Sequence, residues 1–329
     1  MKRIEIAAWG APEDVARIVE TPDLPAPAAK QVLFDIIAFP LNPADMAFCH
    51  GRYRLKPPLP ATPGAECVGR VRAVGEGVTR VAPGDLVINL LRENWASQRC
   101  VAEDDVIRVP RDIDLKQAAM LRINPPTAAL LLSDIVALKA GDWLIQNVAN
   151  SAVGRLVIAF ARARGFRTIN VVRRDDVFAD LTKLGADVCL RDGEDLAQHV
   201  RAANGGAPVR LGLDAIGGGA TARIAACLAD DATVCTYGSM SGEEARLPTS
   251  DLVYRGVTLT GFMLGRFLAR RSDADIRALY AELAHGIHSG AVHAPVDRIY
   301  PIEDIRDALM HAQSPGHFGK VLVAPNGMI

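Results

Sequence analysis

Clustered cysteine is missing from this chain. Its cysteines, Cys49, Cys67, Cys100, Cys189, Cys227 and Cys235, are dispersed, with no CxxC pair and no zinc-ribbon spacing, so reduced structural thiols are expected. An excess of one charge is missing too. The 37 Lys and Arg residues against 38 Asp and Glu leave no basic surplus for a nucleic-acid backbone or an anionic membrane. No uncharged apolar stretch reaches the roughly 18 residues of a membrane span. MKRIEIAAWGAPEDV, at the start, lacks the apolar run of a secretory signal, and a cytoplasmic location is expected. Internal repeats and low-complexity linkers are also absent. With 50% hydrophobic and 23% charged residues among 329, the chain has the composition of a globular protein long enough for two domains.

The first third reads as short β segments broken by Gly and Pro: QVLFDIIAF from Gln31, ECVGRVRAVG from Glu66 and DLVINLL from Asp85. This spacing suggests a compact, barrel-like β domain. From about Ala119 the texture becomes alternating β and α. WLIQNV at Trp143, the helical run AVGRLVIAFARARG and TINVVRR at Thr168 form a βαβ unit. LGLDAIGG, ATVCTYGSM and GVTLTGFML supply further strands, and the order implies a parallel, doubly wound sheet. After Gly265 one long amphipathic helix is expected over FLARRSDADIRALYAELAHGIHSG, then a β segment VHAPVDRIYPIED and a last strand GKVLVAP. The expected division is 1–118 with 266–329 as one domain and 119–265 as the other.

Between the strand at Trp143 and the following helix lies QNVANSAVG, Gln146–Gly154, where a dinucleotide fold places its phosphate turn. In the GxGxxG frame it offers Ala149, Ser151 and Gly154, so only the third glycine survives. The next strand ends at Arg173 and Arg174, where an acidic residue would bind the ribose hydroxyls of NAD. Two guanidiniums there suit a 2′-phosphate, which favours NADPH. The competing reading is a solvated strand end beside Asp175 and Asp176.

Taken together, LNPAD at Leu41, GRYRLKPPLPATPGAE at Gly51, NPPTA at Asn124, GDWLIQNVANSAVG at Gly141, TINVVR at Thr168, TYGSM at Thr236 and FGKVLV at Phe318 resemble the 2-enoyl thioester reductases. These are zinc-free medium-chain dehydrogenase/reductases. The resemblance implies an α/β protein with a GroES-like β-barrel catalytic domain and a Rossmann NADPH domain. By position, Tyr53 matches the family's catalytic tyrosine. Asn124, Asn150, Ser151, Ala152, Val153, Gly154, Arg173, Arg174, Tyr237, Gly238, Ser239, Met240, Phe262, Met263, Leu264, Gly265 and Lys320 match its cofactor contacts, and Trp95 an aromatic residue of its active-site region. Asn42 and Thr127 are candidates for holding the nicotinamide or the substrate carbonyl, although Asn42 also reads as a turn residue before Pro43. Arg54 stands where the family commonly has glycine, Arg155 where glutamine is common, and Arg122 precedes NPPTA in an otherwise apolar stretch.

No catalytic zinc is expected, because Gly64-Ala65-Glu66 lacks the histidine of a GHE motif and Asn42 replaces the first cysteine. Without zinc, the expected reaction is NADPH-dependent reduction of the 2,3 double bond of an enoyl thioester, bound to CoA or to an acyl carrier protein. A phenol keeps its proton at neutral pH, so Tyr53 can stabilise the enolate or deliver the α-proton. The alternatives are an NADPH:quinone reductase on the same scaffold and a non-catalytic NADPH-binding redox sensor. A homodimer is expected through ATVCTYG and GVTLTGF at the sheet edge.

Overall fold

The computed structural model describes residues 1–290, 293–314, 316 and 318–329. The expected β segment at Val292 therefore starts outside the described residues, and His317 lies outside them as well. The strands in chain order are β1 Lys2–Ile6, β2 Ala16–Glu20, β3 Gln31–Pro40, β4 Val68–Val74, β5 Leu86–Asn89, β6 Gln98–Ala102, β7 Val106–Val109, β8 Trp143–Gln146, β9 Arg167–Val172, β10 Val188–Arg191, β11 Val209–Asp214, β12 Thr233–Thr236, β13 Thr258–Gly261, β14 Val296–Pro301 and β15 Lys320–Ala324. The chain forms two compact units, Met1–Ile123 with Asp273–Ile329, and Asn124–Ser272.

In the first unit the strands run β14-β15-β3-β4-β5-β7, with β6 also paired to β3. Strand β3 is the organiser, antiparallel to β4, β6 and β15. Its sequence QVLFDIIAFP is apolar at nearly every position because both faces are covered, and Phe34, Ile36 and Phe39 are fully buried. Burying one such side chain stabilises the fold by about 1.5–3 kcal/mol. A side chain at Gly69 on β4 would put its Cβ 2.5 Å from the Phe34 ring, so the glycine makes room for that phenylalanine.

The second unit is a parallel sheet in the order β10-β9-β8-β11-β12-β13. The winding direction reverses between β8 and β11, which is the topological switch point of a Rossmann sheet. Helix Ala152–Ala163 follows β8 and buries Leu156, Val157, Ile158 and Ala161, the one-sided spacing of an amphipathic helix on a sheet. Helix Asn124–Ser133 is buried from Asn124 through Leu132, with Pro125 and Pro126 in its first turn where their missing N–H groups are harmless.

One expected element is corrected. The single long helix after Gly265 is two helices, Leu264–Leu268 and Asp273–His288. Residues Ala269-Arg-Arg-Ser272 offer no large apolar side chain to bury. Arg271 NH1 donates to the Phe267 carbonyl at 2.9 Å and closes the first helix, while Asp273 in the next first turn pairs with Arg277 at 2.9 Å.

Candidate functional site

The helix Pro43–Cys49 follows β3, and the Asn42 N–H that precedes it donates to Asp45 Oδ2 at 3.1 Å. An acid three residues after the cap is the spacing that closes such a turn. With its backbone fixed, the Asn42 side chain bridges two charges. Its Oδ1 accepts from Lys320 Nζ at 2.6 Å, and its Nδ2 donates to Glu66 Oε1 at 2.9 Å. Glu66 Oε2 accepts from the Ile123 N–H at 2.8 Å. Asp45 and Glu66 have no exposed surface. Arg122 adds a third cation, donating to the carbonyls of Ala65 and Leu90, and its own carbonyl accepts from Tyr280 OH at 2.9 Å.

Burial sets the ionisation of this cluster. It pushes the Glu66 carboxyl up from 4.5 to about 7, against the pull of Asn42 and the charges of Lys320 and Arg122. It raises Asp45 against Arg92, and it lowers Lys320 against Glu66 and Asp45. The Asn42 and Ala65 positions carry no metal-ligating side chain, and among the described residues no group of three or more His, Cys, Asp or Glu side chains is placed to hold a metal ion.

Tyr53 lies in a segment without helix or strand and is half-buried against the core of this unit, its N–H bonded to the Ala47 carbonyl at 3.0 Å. The guanidinium carbon of Arg92 sits 4.8 Å from its ring centroid. Trp95 lies in the interior of the same unit. It has no exposed surface and stacks on Phe39 at 6.1 Å between ring centroids, within the hydrophobic core. Gly64 makes this packing possible: at φ +110° it brings its backbone so close that a Cβ would stand 2.5 Å from the Trp95 nitrogen.

In the second unit the expected cofactor residues gather at the carboxyl ends of the parallel strands, where open α/β sheets bind their ligands. Residues 147–154 follow β8, Arg173 and Arg174 follow β9, Tyr237–Met240 follow β12, and Phe262–Gly265 follow β13. Ser151 caps the helix by accepting from the Gly154 N–H at 3.1 Å, which leaves the preceding amides of that first turn open to an anion. A Cβ at Gly154 would meet the Ala149 carbonyl oxygen at 2.6 Å, so glycine is required for the turn to lie on the helix. Beneath the loop, buried Asp214 accepts from Asn147 Nδ2 and Thr221 Oγ1, both at 2.6 Å. Arg173 and Arg174 are exposed, with Arg174 3.4 Å from Asp176. Phe262 packs against Phe267 at 4.4 Å between centroids. Asn124 and Thr127 are buried on their helix, which packs on helix Ala152–Ala163.

Two buried polar atoms support a polar ligand at this edge. Among the described residues the Asn124 amide nitrogen has no hydrogen-bond partner, and the Tyr237 hydroxyl is buried beside Ser151, its ionisation pushed up by burial and by Asp214. A buried donor left unpaired costs about 1–3 kcal/mol. These residues and the open helix start fit a dinucleotide. An open cavity of about 550 Å³ in the same unit, lined by Ala197, Arg201, Pro208 and Arg255, adjoins Val209 at the opposite end of β11 and is not part of this set.

Asp45, Glu66, Arg92, Asp214, Thr221 and Tyr280 are members of these clusters that reasoning from sequence missed. Asp45 carried a signal, the Asn-x-x-Asp spacing of a helix start, and Glu66 stood in the quoted GAE. Arg92 had none.

The ionisation of Glu66 makes a prediction. A carboxyl whose folded value lies above its unfolded value holds its proton more tightly when folded, so its stabilising contribution is full below about pH 4.5 and is lost as pH rises through about 7. The stability of wild type relative to Glu66→Gln is therefore expected to fall between those values in urea titrations at a series of pH. A difference that stays flat or rises would contradict this.

Comparison with known proteins adds to this geometry. The model for the alcohol dehydrogenase GroES-like domain matches residues 28–109, and that for zinc-binding dehydrogenase matches 152–284. A mitochondrial enoyl-[acyl-carrier-protein] reductase of Dictyostelium discoideum is 32% identical over 330 residues, covering 98% of this chain and 94% of the relative. That of Bos taurus is 35% identical over 322 residues, covering 95% and 86%. The relatives' names place them in mitochondria, which differs from the cytoplasmic location expected for this chain. Among the described residues no helix is long and apolar enough to cross a membrane. The solved complex of Etr1p with NADP and crotonyl-CoA superposes with a TM-score of 0.87 at 25% identity, covering 98% of this chain and 99% of the other. A quinone oxidoreductase of Pseudomonas syringae pv. Tomato DC3000 gives 0.88 at 25%, with the same coverage. The chain thus belongs to the medium-chain dehydrogenase/reductase family, with mitochondrial enoyl-[acyl-carrier-protein] reductases as relatives along nearly its whole length.

Proposed function

We propose that the protein reduces the 2,3 double bond of an enoyl thioester with NADPH. The observation that carries this reading is identity of 32–35% to enoyl-[acyl-carrier-protein] reductases over at least 95% of the chain. Bound NADPH supplies the hydride for the β-carbon. Tyr53 then faces the remaining task, which is proton supply at the α-carbon. A half-buried phenol can donate a hydrogen bond to an enolate oxygen, or its proton to carbon directly or through water. The buried Asn42 cluster orients backbone and charge around the start of helix Pro43–Cys49, and its ammonium and guanidiniums favour negative charge nearby.

Arg173 and Arg174 read as the 2′-phosphate grip, and the exposed Arg52, Arg54 and Lys56 beside Tyr53 suit the phosphates of CoA or an acidic acyl carrier protein. In the cofactor unit β13 is an edge strand with exposed residues, near exposed Leu252, Val253 and Tyr254. Pairing of two such edges about a twofold axis makes a homodimer and removes the unpaired edge.

Three outcomes are expected. Tyr53→Phe lowers kcat for a trans-2-enoyl-CoA by about a hundredfold or more, and quinone turnover indifferent to it would favour the quinone reductase reading. Replacing both Arg173 and Arg174 by Ala raises the KM for NADPH by about 10–100-fold while leaving that for NADH unchanged. Equal effects on the two cofactors would overturn the grip. Sedimentation gives a species of twice 35.2 kDa at micromolar concentration, and a 35.2 kDa species alone would refute the dimer.

A further inference from the structure

Arg92 belongs to none of the motifs that carry the family resemblance, and its side chain is only 19% exposed. Three groups hold it. Its NH2 lies 3.4 Å from Oδ1 of Asp45, whose other oxygen is tied to the Asn42 N–H. Its guanidinium carbon stands 5.7 Å from the Phe48 ring centroid and 4.8 Å from that of Tyr53. Phe48 is itself braced edge-on by Trp9 at 5.7 Å. The guanidinium is therefore pinned by Asp45 and Phe48, two residues of helix Pro43–Cys49 that are themselves buried, and Tyr53 lies against it from a segment without helix or strand.

We propose that Arg92 is a positioning residue for Tyr53, stacking on the phenol ring so that the hydroxyl keeps one direction. The Tyr53 ring is half-buried against the core of this unit, and the Arg92 guanidinium is the cation that lies over it. The Tyr53 backbone is bonded to Ala47, which fixes where the Cα lies, while the side-chain torsions are set by what the ring packs against. A planar guanidinium restricts those torsions through the ring face in a way that an ammonium on a flexible stem does not. Asp45 then has two roles: one oxygen closes the turn that sets Asn42, and the other anchors the cation that sets Tyr53. The inference rests on Tyr53 being the group that handles the proton.

Arg92→Lys is the informative variant, because it keeps a positive charge beside the buried Asp45 carboxylate and removes the planar stack. The wild type, Arg92→Lys, Tyr53→Phe and the double variant are compared for kcat and KM with crotonyl-CoA and NADPH, with thermal unfolding as a check on the fold. We expect Arg92→Lys to unfold near the wild-type temperature, to keep its KM for NADPH, and to lose about five- to thirtyfold in kcat. In the Tyr53→Phe background, where no hydroxyl remains to be aimed, the same change should cost nothing further. Equal losses in both backgrounds, or an unchanged kcat in Arg92→Lys, would overturn the positioning role while leaving Tyr53 in place. If Tyr53→Phe alone left turnover intact, the assignment of Tyr53 would fail, and this inference with it.

Discussion

The first unit depends on one asparagine side chain. Asn42 has one carbonyl oxygen and one amide, and it spends them on the Lys320 ammonium and the Glu66 carboxylate. Removing an ion from water costs several kcal/mol unless specific partners replace the solvent. Each charge in this cluster therefore has a defined neighbour: Asn42 for Lys320 and Glu66, Arg92 for Asp45, and backbone carbonyls for Arg122. The requirement reaches across the sequence. Lys320 is the first residue of β15, and the Leu41 N–H donates to the Val321 carbonyl at 3.0 Å, so the last strand docks where the first long strand ends.

The cofactor unit is held by a different device, a buried acid that only accepts. Asp214, at the end of β11, is a buried carboxylate that accepts from Asn147, Thr221 and the backbone of Ile216 and Gly217. It ties the two sides of the switch point together from below and leaves the amides of the loop above free for a ligand. The polar side chains of this unit thus include those that fix the strand ends and one, the Asn124 amide, that has no partner among the described residues.

Local periodicity made most of the architecture legible. WLIQ, the one-sided helix after it and TINVV were readable as a βαβ unit because each buries its apolar face within a few residues of itself. The loop at Ser151 was placed by its position between a buried strand and a helix, whereas Tyr53 was pointed to only by the resemblance of its motif to the reductase family. What sequence could not show was decided by contacts between distant segments. Arg92 finds Asp45 across 47 positions, and Tyr280 finds Arg122 across 158. The partners of Trp95 are also remote in sequence, Phe39 and the close backbone of Gly64 enclosing it. The break at Arg270 and Arg271 was hidden because an amphipathic pattern continues on both sides of it.

Reduction of a conjugated thioester places hydride from NADPH on the β-carbon and a proton from solvent on the α-carbon. The most direct test is to locate the new hydrogens. Purified protein is given crotonyl-CoA and NADPH deuterated at the transferring position in ordinary water, then unlabelled NADPH in heavy water, and butyryl-CoA is analysed by NMR and mass spectrometry. The account predicts cofactor deuterium at the β-carbon alone and solvent deuterium at the α-carbon alone. Recovery of unreduced crotonyl-CoA, while a 1,4-quinone consumes NADPH, would contradict it.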